Sequence, residues 1–140
     1  MQDLVEFANN NVLLTTGLMA SALAVIFYEL KVKARDVASL GIPMAVRMMN
    51  DGGNIVDVRP ADRYLDGHIV DARNIPSEEL LKDPDRLASQ EGNVLLICDT
   101  GSKSAECAAH LRKQGNENIF NVRGGLEEWR RENLPLVSGR

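Results

Sequence analysis

Apolar and polar positions divide the chain into two regimes. From Phe7 to Tyr28 no residue is charged, and Val12, Leu13, Leu14, Leu18, Met19, Leu23, Val25, Ile26 and Phe27 make the segment Val12–Tyr28 mostly apolar. Its polar positions, Thr15, Thr16 and Ser21, are too few to wet one face of a surface helix. Val12–Leu30 as a helix spans roughly 28 Å, against about 30 Å for a hydrocarbon core. Beyond Asp36 the pattern changes to short apolar runs alternating with helical segments. Asp36–Leu40, Asn54–Val58, Val94–Ile97 and Ile119–Val122 read as strands, and Val94–Ile97, an unbroken apolar run of Val, Leu and Ile, suits a strand buried on both faces.

Helical patterns fill the gaps. Gly41-Ile42-Pro43 opens a helix, since proline fits a first turn, and Met44, Ala45, Met48 and Met49 give it an apolar face. Asn50-Asp51-Gly52-Gly53 is a turn. Pro76–Leu81 reads as a short helix with Ser77 as its cap, and Asp83–Leu87 starts another. A helix after Ser104 runs to about Lys113 and ends at Gln114-Gly115. Trp129 anchors a final helix. Strand–helix alternation predicts an α/β fold, a parallel sheet with helices on both faces. The expected organisation is a short tail (1–11), a transmembrane anchor (12–30), a basic juxtamembrane linker (31–35) and one domain (36–140).

Charge orients the anchor. Residues 1–30 carry Asp3, Glu6 and Glu29 and no Lys or Arg, whereas Lys31, Lys33 and Arg35 follow at once. Basic flanks stay cytoplasmic, so the expectation is a single-pass protein of a bacterial-type inner membrane with its N-terminus outside and its domain in the cytoplasm. The acidic N-terminus and the lack of a small-residue cleavage site argue against a cleaved leader. Gly17 and Ser21 read as ordinary small residues of a membrane helix, the alternative being a helix-pairing face. Net charge is −4 over 140 residues, and no basic run suggests nucleic acid. Two cysteines cannot build a disulfide framework and suit a reducing compartment. Neither histidine stands at a zinc spacing from a cysteine, so no metal and no cofactor are expected.

The chemistry concentrates after the fourth apolar run. Cys98 ends it, Asp99-Thr100-Gly101-Ser102-Lys103 loops, and a helix begins near Ser104. Ser102 or Ser104 is the expected cap. A thiol facing free amides at a helix N-terminus ionises more readily. Lys103 adds positive charge, Asp99 opposes it, and Gly101 permits a turn with positive φ. On the loop alone, a reactive thiol and a buried strand-end cysteine stand level. Asp57 and Arg59, at the end of the second strand, read as a structural ion pair rather than a catalytic one. His68 reads as a hydrogen-bonded scaffold residue. Cys107, one turn past Ser104, reads as a small core residue, the alternative being a thiol that resolves an oxidised Cys98.

Cys98-Asp99-Thr100-Gly101-Ser102-Lys103-Ser104 resembles the active-site loop of the rhodanese-like sulfurtransferases, often Cys-x-x-Gly-x-Arg-Ser. Three further segments match in order and spacing: Asp57-Val58-Arg59; Tyr64 with Gly67-His68-Ile69 and Ala72-Arg73-Asn74-Ile75-Pro76; and Gly124-Gly125 with Trp129 and Leu134-Pro135. The resemblance runs from about Ala34 to the C-terminus. Ile42-Pro43 departs from the family's frequent Ser-Pro.

The resemblance implies sulfur transfer. Cys98 would carry sulfane sulfur as a persulfide from a small donor such as thiosulfate to a thiol or cyanide, the loop from Asp99 to Ser104 stabilising its charge and Gly124-Gly125 approaching closely. It also implies structural roles for Asp57, Arg59 and His68. A phosphatase would want a larger cradle and a forked arginine, where this chain has a six-residue loop and Lys103. The second reading is a catalytically weak scaffold or interaction module for other membrane proteins, motivated by Asp99, since thiosulfate-using relatives often carry basic residues after the cysteine. Donor, acceptor and oligomeric state stay open.

Overall fold

The computed structural model describes residues 6–7, 9–36, 38–87 and 90–139, and side chains of residues 31–36 lie outside that description, as does Val37. The chain divides into two compact units, Met1–Ala34 and Arg35–Arg140.

The first unit carries one long helix, α1, which continues through the expected basic linker to span Val12–Asp36. No residue in it breaks the helix, and Lys and Arg are good helix formers. Its segment Val12–Leu30 is long and apolar enough to cross a membrane, and none of it is buried. Thr15, Thr16 and Ser21 return their hydroxyl protons to carbonyls three or four residues back, so these polar groups are satisfied within the helix.

The second unit is a five-stranded sheet in the order β1-β5-β4-β2-β3, every neighbouring pair parallel. Its strands are β1 (Ser39–Leu40), β2 (Asn54–Asp57), β3 (Arg73–Asn74), β4 (Val94–Ile97) and β5 (Ile119–Val122). Between them run α2 (Ile42–Asn50), α3 (Ala61–Asp66), α4 (Ser77–Lys82), a 3-10 turn (Pro84–Leu87), α5 (Ser102–Lys113) and α6 (Gly125–Arg131). The doubly covered sheet expected from the strand–helix alternation is present.

β4 shows why the apolar run had no polar alternation. All four of its residues are buried. Successive side chains leave opposite faces: Val94, Leu96 and Cys98 enter one core with Leu80, Cys107, Ala108 and Leu111, while Leu95 and Ile97 enter the other with Ile42, Ala45, Leu126 and Trp129. Helices α4 and α5 thus cover one face, α2 and α6 the other. Cys98 continues the alternation one residue past the strand, on the α5 side.

Local details differ from expectation at the helix starts. Pro76, not Ser77, caps α4, and Ser77 is its first residue, with no side-chain cap. A proline at that boundary brings a fixed φ without a hydroxyl acceptor. In place of the helix expected from Asp83 there is a single 3-10 turn, Pro84–Leu87. α3 and β3 were not anticipated: α3 buries none of its six residues, and β3 is a two-residue edge strand, so neither leaves a periodic signature.

Candidate functional site

Cys98 stands where the central strand ends, the position at which open α/β sheets place ligands. Its side chain is 4 % exposed. Three donors face its sulfur. The Gly101 amide lies 3.1 Å from Sγ, the Ser104 amide 3.4 Å and the Ser104 hydroxyl 3.3 Å. The chain wraps from Cys98 through Gly101 into the first turn of α5, so the amides converge on the sulfur from above.

The loop keeps this shape because α6 holds its carbonyls. The amides of Leu126 and Glu127 donate to the carbonyls of Cys98 and Asp99, each at 2.9 Å. With those oxygens turned onto α6, neighbouring amides are free to turn toward the sulfur. The approach needs glycine. A Cβ at Gly125 would sit 2.3 Å from the Cys98 carbonyl oxygen and 2.6 Å from the Gly101 nitrogen, at φ +57°. Gly101 itself, at φ +85°, caps α5. Neither Ser102 nor Ser104 caps that helix; the left-handed turn at Gly101 places both inside it.

Ser104 is instead spent on the site. Fully buried, its hydroxyl reaches Asn121 Oδ1 at 2.6 Å and the Gly101 carbonyl at 3.3 Å in addition to Cys98. It has one proton for three acceptors. Asn121 is held in that orientation because its Nδ2 donates to Ser39 Oγ at 3.0 Å. Asn121 was missed from sequence. A polar residue in the run Ile119–Val122 was the available signal, since a buried amide inside a strand needs named partners.

Charge is locked beside the loop. Arg59, 4 % exposed, sends Nε to both Asp57 oxygens, Nη2 to Asp57 and to the Gly67 carbonyl, and Nη1 to Asp99 at 3.1 Å. Burial works against its charge, but the hydrogen bond and charge of Asp57, with Asp99 behind them, outweigh it and raise the Arg59 pKa. Arg63, absent from the sequence reading, holds the other Asp99 oxygen at 3.2 Å. Asn74 donates to the Asp57 and Arg59 carbonyls and fixes the turn between them. His68 lies outside the sulfur's contacts. It stacks on Tyr64 with ring centroids 3.7 Å apart, its Nδ1–H donates to the Tyr64 carbonyl, and its backbone pairs with Val137.

The loop opens onto a cleft of about 490 Å³ lined by Val58, Pro60, Ser77, Thr100, Ser102 and Lys103 among others. Lys103 points along the surface of α5 and pairs with Glu106 at 3.2 Å. Ser102 and Thr100 meet each other weakly, the Ser102 amide lying 3.5 Å from the Thr100 hydroxyl. Gly124 turns at φ +76° to start α6. Cys107 is fully buried. Burial pushes its thiol up to about 11, Lys103 opposing the shift and Glu106 and Cys98 adding to it. Among the described residues no cluster of His, Cys, Asp or Glu is arranged to hold a metal ion.

Comparison with known proteins agrees with this geometry. The family described as "Rhodanese-like domain" matches residues 44–132. The chain is 29 % identical over its full length, and that of the relative, to the uncharacterized protein YibN of Escherichia coli. It is 32 % identical over 87 residues to the thiosulfate sulfurtransferase GlpE of Actinobacillus pleuropneumoniae, covering 62 % of this chain and 80 % of that one. A rhodanese-related protein of Thermoplasma volcanium superposes with TM-score 0.63 at 27 % identity, over 71 % of this chain and 96 % of that one.

Two outcomes follow from the packing. Gly125→Ala drives a methyl group into three backbone atoms at a positive φ, so it is expected to lower unfolding stability by about 1–3 kcal/mol, measured by urea denaturation; an unchanged midpoint contradicts the close approach. The raised Cys107 pKa has a signed consequence. From 9.0 to about 11 the unfolded chain releases a thiol proton that the folded chain retains, so stability present below that window falls as pH rises through it. The decline across the window is expected to be shallower in Cys107→Ala than in the native chain.

Proposed function

Because this chain belongs to the rhodanese-like domain family, we propose that it is a membrane-anchored sulfurtransferase that carries sulfane sulfur on Cys98. The observation that carries the reading is the convergence of two backbone amides and one hydroxyl on a single sulfur. The two amides, fixed in advance by the backbone, stabilise a localised anion without reorganising when charge arrives.

The cycle has two displacements. The Cys98 thiolate attacks the sulfane sulfur of the donor. In thiosulfate, the S–S bond breaks and sulfite leaves with the bonding pair, leaving Cys98–S–S⁻. An acceptor nucleophile then attacks the outer sulfur and takes it, and the Cys98 thiolate returns. No electrons enter or leave the pair of reactions. In the thiol form, Ser104 gives its proton to Asn121 and accepts from Cys98. In the thiolate form, the same hydroxyl turns its proton to the sulfur. Arg59 acts at one remove, joining the ends of β2 and the Cys98 loop through Asp57, Gly67 and Asp99.

The helix Val12–Leu30 is read as the anchor, with Lys31, Lys33 and Arg35 on the cytoplasmic side. This brings the transfer site to a membrane surface where thiols remain reduced.

Two measurements check these readings. Cys98→Ser is expected to lower thiocyanate formation from sulfane-sulfur donors and cyanide to the uncatalysed rate, while Cys107→Ala retains transfer; persistent transfer in Cys98→Ser removes the mechanism. In cells, the full chain is expected to stay in the membrane pellet after alkaline carbonate washing, whereas a chain beginning at Asp36 is released. Release of both excludes an anchor.

A further inference from the structure

Among the described residues, the cations at the mouth of the Cys98 cleft, Arg59, Arg63 and Lys103, are each matched by a carboxylate. Arg59 is tied to Asp57 and, with Arg63, to Asp99; Lys103 is tied to Glu106. Three positive groups therefore meet three negative ones, and two of the carboxylates, Asp99 and Glu106, line the cleft itself. Asp99 keeps a third of its side chain exposed, directly after the nucleophile in the chain. A dianion arriving here finds no uncompensated charge. Taking away the Asp99 charge leaves its arginines one positive charge in excess, and one unit charge about 6 Å from a dianion, even at the dielectric of water, is worth about tenfold in rate.

The cleft is also larger than an inorganic anion requires. Its volume of about 490 Å³ falls in the range of pockets that enclose organic ligands, roughly 300–1,000 Å³. Exposed Pro60 supplies carbon surface to it. Resting on the sulfur-transfer reading above, we infer that the donor is an organic persulfide rather than thiosulfate, and that Asp99, clamped by Arg59 and Arg63, is the residue that selects between them.

The exchange balances without an oxidant. The Cys98 thiolate attacks the outer sulfur of R–S–SH. The new Cys98–S bond forms as the donor S–S bond breaks, and R–S⁻ leaves with the bonding pair. Cys98–S–SH retains the donor's proton until it passes to the leaving thiolate. The displaced group carries one negative charge where sulfite carries two, which suits a cleft whose charges cancel.

The test follows loading of the full-length protein in detergent micelles, read by intact mass as gain of one sulfur atom. Cysteine hydropersulfide and thiosulfate are the two donors. The native chain is expected to load faster from the hydropersulfide. Asp99→Asn, which leaves Arg59 and Arg63 partly unmatched, is expected to raise the thiosulfate-to-hydropersulfide rate ratio about tenfold. Glu106→Gln releases Lys103 without touching the Arg59 network, and is expected to move the ratio in the same direction; it covers the case in which Asp99→Asn fails to fold. Arg63→Gln is expected to lower the ratio. Equal loading by both donors, or a ratio unmoved by both carboxamide variants, overturns the selectivity and leaves sulfur transfer standing. Loading by neither donor, with Cys98 still open to alkylation, overturns sulfur transfer and this inference together.

Discussion

The site depends on where two carbonyl oxygens point. Those of Cys98 and Asp99 accept from the first amides of α6, and this removes them from the side of the loop on which the sulfur lies. Had they faced the sulfur, lone pairs would oppose any charge it carried. The cost of the arrangement is steric, because two backbones must approach to hydrogen-bonding distance with no side chain between them. Gly101 and Gly125 meet that condition, each at a positive φ. An electrostatic property of the loop therefore rests on a packing property of a different helix.

A second constraint is charge burial. Asp57 and Arg59 are almost wholly removed from water, which costs several kcal/mol per ion unless their hydrogen bonds are filled. They are filled, by each other, by Gly67, by Asp99 and by the backbone. The pair then acts as a strut between the end of β2, the Gly67 turn and the Cys98 loop. Its reach to Asp99 links fold stability to the charge at the cleft mouth. Asp99, which the brace reaches, also pairs with Arg63.

β2, β4 and β5, the doubly covered sheet and the turn at Gly101 were legible because each leaves a local mark: a short run made mostly of apolar residues, or a glycine where a chain must reverse. The close approach of Gly124-Gly125 was also readable, since adjacent glycines after a strand have few other uses. What sequence did not give was partnership. Ser104 looked like a helix cap because hydroxyls usually cap; the left-handed turn at Gly101 moved it one turn inward, beside Cys98 and Asn121. Lys103 looked like a charge aimed at the thiol, yet Glu106, three residues on along a helix, takes it. Arg63 sits on a short helix with no buried residue, so no periodicity drew attention to it. These are contacts between elements, decided by topology.

The two cysteines show what topology adds to residue type. Cys98 and Cys107 lie in the same apolar cluster, and composition treats them alike. Cys107 lies inside α5, where its own helix occupies the nearby amides and burial holds its proton to about 11. Cys98 lies just past a strand end, where the chain has left regular hydrogen bonding and its amides are free to turn inward. The break between strand and helix thus separates the surroundings of the two thiols. The same break opens the cleft, so the sulfur on which amides converge also lines a cavity.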